Sequence, residues 1–217
     1  NNVLCSKFKR TMTNKLLFFV LLALCFSGCD MLETHPYDVH ITGERELTNK
    51  NIQLIENKMQ GKKTIRFAMI SDTQRWYNST EDVVKALNAR GDIDFVIHGG
   101  DQSDFGVTKE FIWMRDIFNK FQMPYVCLLG NHDCLGTGED AYRAIYGDPN
   151  FAFTAGNVRF ICLNTNAMEY DYSEPVPDFN FIENELNNLS PEIEKTVFAM
   201  HVKPFEFVFN NNVAKIF

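Results

Sequence analysis

The sequence predicts an α/β fold built around a buried, largely parallel sheet. Strand-length apolar runs alternate with stretches of helical spacing, and several of those runs are continuous, as strands covered on both faces must be. Polar residues able to do chemistry follow directly on the strand ends. In order, residues 30–60 read as a tether around Pro36 and Gly43, then a short strand and a helix over 48–59. Residues 64–70 form a strand-length apolar run, followed by a polar turn and a helix over 80–89. The same order repeats with a strand at 93–97 and helix at 109–121, then a strand at 124–129 and helix at 139–146. Residues 151–154 and 158–163, around Gly156 and Asn157, read as a hairpin; 178–189 is helical and 196–200 is a last strand. A hairpin does not suit a purely doubly wound sheet, so it predicts a second sheet or an antiparallel extension.

Composition narrows the class. With 45% hydrophobic and 13% aromatic residues, the 217-residue chain holds too much apolar surface for disorder, and 23% charge is too little for a coiled coil. A net charge of -7 argues against nucleic acid as a main partner. That charge is unevenly spread. Four basic residues, Lys7, Lys9, Arg10 and Lys15, precede the first acid, Asp30; the remaining 17 face 28 acids, a balance of -11.

The basic head runs into the apolar stretch 16–26 and then Ser27-Gly28-Cys29, the order of a secretory signal. Eleven residues make about 16 Å of helix, short of the ~30 Å hydrocarbon core. Ser-Gly-Cys resembles a bacterial lipobox, which implies lipidation at Cys29, a signal peptide over 1–28 and a site in the cell envelope, outside the cytoplasm and anchored to the membrane. Met12 begins a more conventional signal, so residues 1–11 read as an untranslated extension. Of six cysteines, Cys127, Cys134 and Cys162 then remain unmodified, an odd number without tight spacing, so no disulfide framework is predicted. Cys127 and Cys162 sit in apolar runs and read as core.

In open α/β sheets ligands collect beyond the carboxyl ends of the strands. There the chain places Ser71-Asp72-Thr73-Gln74, then His98-Gly99-Gly100-Asp101-Gln102-Ser103-Asp104, then Gly130-Asn131-His132-Asp133, and finally His201. If all four strands share one sheet, Asp72, Gln74, Asp101, Asn131 and His201 meet at one rim. Singly, each has an ordinary structural account: a helix cap, a turn, a hydrogen-bonded histidine. Together they assemble oxygen and imidazole donors, which suit Mn, Fe, Zn or Mg, with no thiolate cluster. His98, at the inner end of its strand, reads as a core or supporting residue; the alternating aromatics of 205–209 read as core packing.

The series Asp-x-Gln, Gly-Asp-x-x-Asp, Gly-Asn-His-Asp and a later His resembles the calcineurin-like metallophosphoesterase superfamily over residues 64–217, with the domain beginning at 61 after a lipidated extension over 29–60. The resemblance implies an α/β/β/α sandwich with a mostly parallel central sheet and two divalent metal ions. It implies that Asp72 and Gln74 bind the first ion, that Asp101 bridges both, and that Asn131 and His201 bind the second. His132 would stand by the phosphoryl group of a phosphomonoester or phosphodiester substrate attacked by a metal-bridging hydroxide. Asp133 would orient His132, and Asp104 would brace the metal shell.

Two departures qualify the resemblance. Gln74 stands where the family usually has His, and its neutral carbonyl predicts a looser first site or a preference for Mn or Mg. No Gly-His-x-His follows His201 before Phe217, which predicts a chain truncated at its C-terminus with an incomplete sheet. The alternative function is then a degenerate member that binds metal or a phosphorylated ligand without turnover.

Overall fold

The structure, a computed structural model, describes residues 35–210, 212–215 and 217. The signal segment 1–28 and the lipidation position Cys29 lie outside the described residues. Residues 37–217 form one compact body. Its helices are α1 (Leu47–Met59), α2 (Tyr77–Arg90), α3 (Thr108–Phe118), α4 (Gly138–Ile145) and α5 (Phe179–Asn187). Its strands are β1 (Phe67–Ile70), β2 (Phe95–His98), β3 (Tyr125–Cys127), β4 (Phe151–Ala155), β5 (Val158–Leu163) and β6 (Lys195–Met200).

Two three-stranded sheets result. The first is parallel, in the order β1-β2-β3; in the second, β4 pairs antiparallel with β5 and β5 parallel with β6. The side-chain period of two assigns each face. Val96, Tyr125 and Cys127 point to one layer with Val84, Phe111, Met114 and Tyr142 from α2, α3 and α4. Phe95, Ile97 and Val126 point the other way, into a layer shared with Phe153, Phe160 and Cys162 of the second sheet. The stacked Phe153 and Phe160 rings, 4.9 Å apart, fill its centre. Ile161 and Leu163 face outward onto Ile182 of α5. Helices, sheet, sheet and helix thus make an α/β/β/α sandwich, and Cys127 and Cys162 are core residues, as their apolar runs predict.

The helix α1, read from sequence as lying in the N-terminal extension, packs into the body. Leu47, Ile55 and Met59 are buried. Its polar face seals two strand edges: Asn51 Oδ1 accepts from the Tyr125 amide (3.2 Å) and Glu56 Oε1 from the Thr154 amide (3.0 Å). Among the described residues, the short strand expected before it does not form. That segment instead gives its carbonyls to side chains, Thr42 O and Glu44 O to the buried Arg115 and Asp38 O to Thr108. The aromatic run 205–209 also departs from expectation. It follows turns, so Phe209 is buried while Phe205 and Phe207 are 68% and 73% exposed.

Candidate metal centre

Three loops leave the carboxyl ends of β1, β2 and β3 side by side. The Asp72 amide donates to the Gly100 carbonyl (3.1 Å) and the Gln74 amide to the Asp101 carbonyl (3.0 Å), tying the first loop to the second. Asp72, Gln74 and Asp101 all sit in the left-handed region, with φ of 55°, 38° and 60°. Non-glycine residues rarely adopt it, and such strain gathers where function fixes a side chain. Two glycines allow the close approach. A Cβ on Gly100, whose φ is 102°, would lie 2.7 Å from His201 Nδ1, and one on Gly130 would overlap Asp101 Oδ1.

His201 arrives from elsewhere than the sequence suggests. It follows β6, which belongs to the second sheet, so the rim is assembled from both sheets of the sandwich. A ligand atom each from Asp72, Asp101 and His201 lies within 4.8 Å of the others. The His201 ring is fixed by its Nδ1, 2.8 Å from the Gly99 carbonyl; a carbonyl only accepts, so this nitrogen carries hydrogen. Its Nε2 lies 3.0 Å from Asn131 Oδ1 and 3.4 Å from Asp101 Oδ1. On a neutral imidazole, lone pairs from Nε2, Asn131 and Asp101 would then converge on one point. Such a convergence requires a cation there, a proton or a metal, and the donor set of carboxylate, amide oxygen and imidazole fits a divalent ion.

Asp101 is 3% exposed, and burial pushes its carboxyl above the usual range, opposed by His201 and by the His132 amide on Oδ1 at 3.0 Å. Asp72 is exposed at the mouth. Gln74 is placed beside Asp101 by its backbone bond, where its amide can serve the same rim.

His132 is supported by Asp104, not by Asp133. Its Nδ1 lies 2.9 Å from the Asp104 carbonyl and 3.7 Å from Asp104 Oδ1, and the carbonyl holds the ring's pKa above the ordinary histidine value. Asp133 is wholly buried and turned away. Its carboxylate accepts from the amides of Gly130, Asp101, Gln102 and Ser103 at 2.8–2.9 Å and from Ser103 Oγ at 3.1 Å. The role expected for it is therefore corrected: Asp133 gathers the second and third loops around one anchor. Asp104 reaches His132 and also forms an ion pair with Arg75.

Some supporting residues escaped the sequence reading. Thr165 Oγ1 accepts from the Val202 amide (3.1 Å), fixing the backbone that carries His201, and Asn166 Nδ2 donates to the Leu129 carbonyl (2.9 Å). The signal was available: Asn164-Thr165-Asn166 follows a buried strand just as the metal loops do, and all three are buried. His98 lies beneath the site with Nε2 3.0 Å from Thr73 Oγ1 and Nδ1 accepting from the Gly100 amide at 3.2 Å. Complete burial lowers its pKa to about 3, so it is a neutral supporting residue.

Comparison with known proteins points the same way. Residues 65–217 match the family described as calcineurin-like phosphoesterase. The chain is 27% identical over 124 residues to a 3',5'-cyclic-nucleotide phosphodiesterase of Nostoc sp. (strain PCC 7120), the match covering 56% of this chain and 46% of that protein. A purple acid phosphatase from yellow lupin (Lupinus luteus) seeds superposes with a TM-score of 0.51 at 16% identity, over 64% of this chain and 30% of that one. The chain thus spans less than half the length of either relative.

Proposed function

The chain belongs to the calcineurin-like phosphoesterase family, and from that premise we propose that it is a dinuclear-metal hydrolase of phosphomonoesters or phosphodiesters. The observation that carries this reading is the convergence of His201 Nε2, Asn131 Oδ1 and Asp101 Oδ1, with Asp72 in reach. Asp72 and Gln74 would hold one ion, Asn131 and His201 the other, and Asp101 both. Divalent ions held there supply Lewis acidity and activate water. Mn, Fe, Zn and Mg all suit the donors. The nearby Cys134 is not among them, since its thiol donates to the Gly130 carbonyl at 3.4 Å and burial pushes its pKa up.

The protein's own groups then act around that core. His132, its Nδ1–H directed to the Asp104 carbonyl, presents Nε2 to the leaving oxygen and can give it a proton. Asp101 is held by the Asp133 anchor through its own amide, so the carboxylate that would serve the ions is placed before substrate arrives. The lipid anchor at Cys29 and an envelope location belong to the same proposal, supported by the order of basic, apolar and small residues ahead of Cys29. Cys29→Ala is expected to release the protein from membranes.

The test is turnover of p-nitrophenyl phosphate and bis(p-nitrophenyl) phosphate by the chain with added Mn²⁺. Mn-dependent hydrolysis abolished by Asp101→Asn is expected, and the ratio of the two rates assigns the ester class. Calorimetry showing no Mn²⁺ binding, together with no turnover of either ester, would refute the reading.

A further inference from the structure

Arg75 follows Gln74 directly and is 66% exposed at the side chain, yet two neighbours direct it. Its Nε pairs with Asp104 Oδ2 at 3.1 Å, and its guanidinium carbon stands 5.7 Å from the centre of the Phe105 ring. The backbone before and after it is pinned by the Gln74 amide on Asp101 and by the Trp76 amide on the Thr73 carbonyl at 2.8 Å. Among the described residues, Arg75 is the one Lys or Arg paired with a carboxylate of the site, and its Nη groups make no hydrogen bond. An arginine positioned by an ion pair and a ring contact, with its donors not spent on hydrogen bonds, keeps a fork available, the geometry that matches two oxygens of one phosphate. Asp104 also carries His132, so the guanidinium and the imidazole both contact one residue beside the centre.

Resting on the phosphoesterase reading above, we propose that Arg75 is a substrate-binding residue whose Nη edge takes the phosphoryl oxygens, with Asp104 and Phe105 as its positioning residues. The carboxylates of Asp72, Asp101 and Asp104 would otherwise repel an anionic ester, and Arg75 supplies fixed positive charge beside them. It orients the phosphoryl group so that its leaving oxygen faces His132. The site is thereby built for a phosphate whose non-bridging oxygens stay uncovered.

The test uses inorganic phosphate as probe and the Mn-loaded chain, by calorimetry. Arg75→Gln is expected to weaken phosphate binding about tenfold to a hundredfold, the span of a lost charge-assisted pair, while Mn²⁺ affinity and melting temperature hold. Arg75→Lys should recover part of the loss, because a point charge replaces a fork. Asp104→Asn, which keeps the carbonyl under His132, should give a smaller loss. In turnover, Arg75→Gln should raise KM more than it lowers kcat. Phosphate bound equally well by Arg75→Gln and the unaltered chain would overturn the assignment, as would an unaltered Mn-loaded chain that binds no phosphate. The phosphate measurement scores Arg75 even if neither nitrophenyl ester is hydrolysed, so failure of the inference and failure of the phosphoesterase reading remain distinct.

Discussion

Beneath the metal centre, Asp133 is wholly buried and collects five hydrogen bonds, whereas at the mouth Asp72 is exposed and stands on a left-handed backbone close to a second carboxylate. Both are aspartates in loops that leave the carboxyl end of one sheet, from its two outer strands. The difference separates a lower part of the site that the fold itself satisfies from a rim whose crowded donors suit a cation. A buried carboxylate surrounded by amides is satisfied by the protein; crowded carboxylates such as Asp72 and Asp101 are satisfied only by something positive between them.

The comparison breaks most sharply at Asp133. Asp133→Ala strands the amides of Gly130, Asp101, Gln102 and Ser103 in a dry interior, and should cost about 4 kcal/mol or more in urea unfolding as well as metal binding. A melting curve close to that of the unaltered chain would show that the anchor is not needed. The next effect comes from His98, also below the site. Its folded pKa of about 3 lies under the ordinary 6.5, so the unfolded chain binds the extra proton and stability rises with pH through that window. Between pH 6.5 and 5 it should account for about 2 kcal/mol of lost stability, and His98→Gln should flatten that part of the profile.

At the rim the direction reverses. Asp72→Asn removes a like charge that raises the Asp101 pKa, so stability of the metal-free chain should hold or rise slightly while Mn²⁺ affinity falls about tenfold. Equal losses of stability and affinity would erase the distinction between the two regions. The smallest change is expected from Gln74→His, which should tighten zinc or iron a few-fold relative to magnesium. Calorimetry with each ion in turn reads this directly.

Much of the frame was legible because continuous apolar runs such as 125–129, short and bounded by turn residues, read as strands covered on both faces. The rim was legible for a related reason: Gly-Asn-His-Asp directly after a buried strand has no packing role. What the one-dimensional pattern could not carry was partnership. Nothing in residues 196–200 says that they join the hairpin's sheet, so His201 was expected from the wrong sheet. Asp133 looked like a neighbour for His132 because the two are adjacent in sequence, yet the ring goes to the Asp104 carbonyl and the carboxylate to the loop amides. Arg115 was invisible as a carbonyl clamp, since its partners lie more than 70 residues away.

The helix α1 carries one more consequence, for the order in which the chain can reach this state. The units running from β1 through α2 to β2, and from β2 through α3 to β3, close over short stretches of chain. By contrast, Asn51 waits for Tyr125, 74 residues on, and Glu56 for Thr154, 98 residues on. Closing loops of that length precedes any reward from the contacts they bring. The earliest described helix to leave the ribosome is therefore among the late elements to find its seat, and the amides of Tyr125 and Thr154 should be slow to gain protection from hydrogen exchange during refolding.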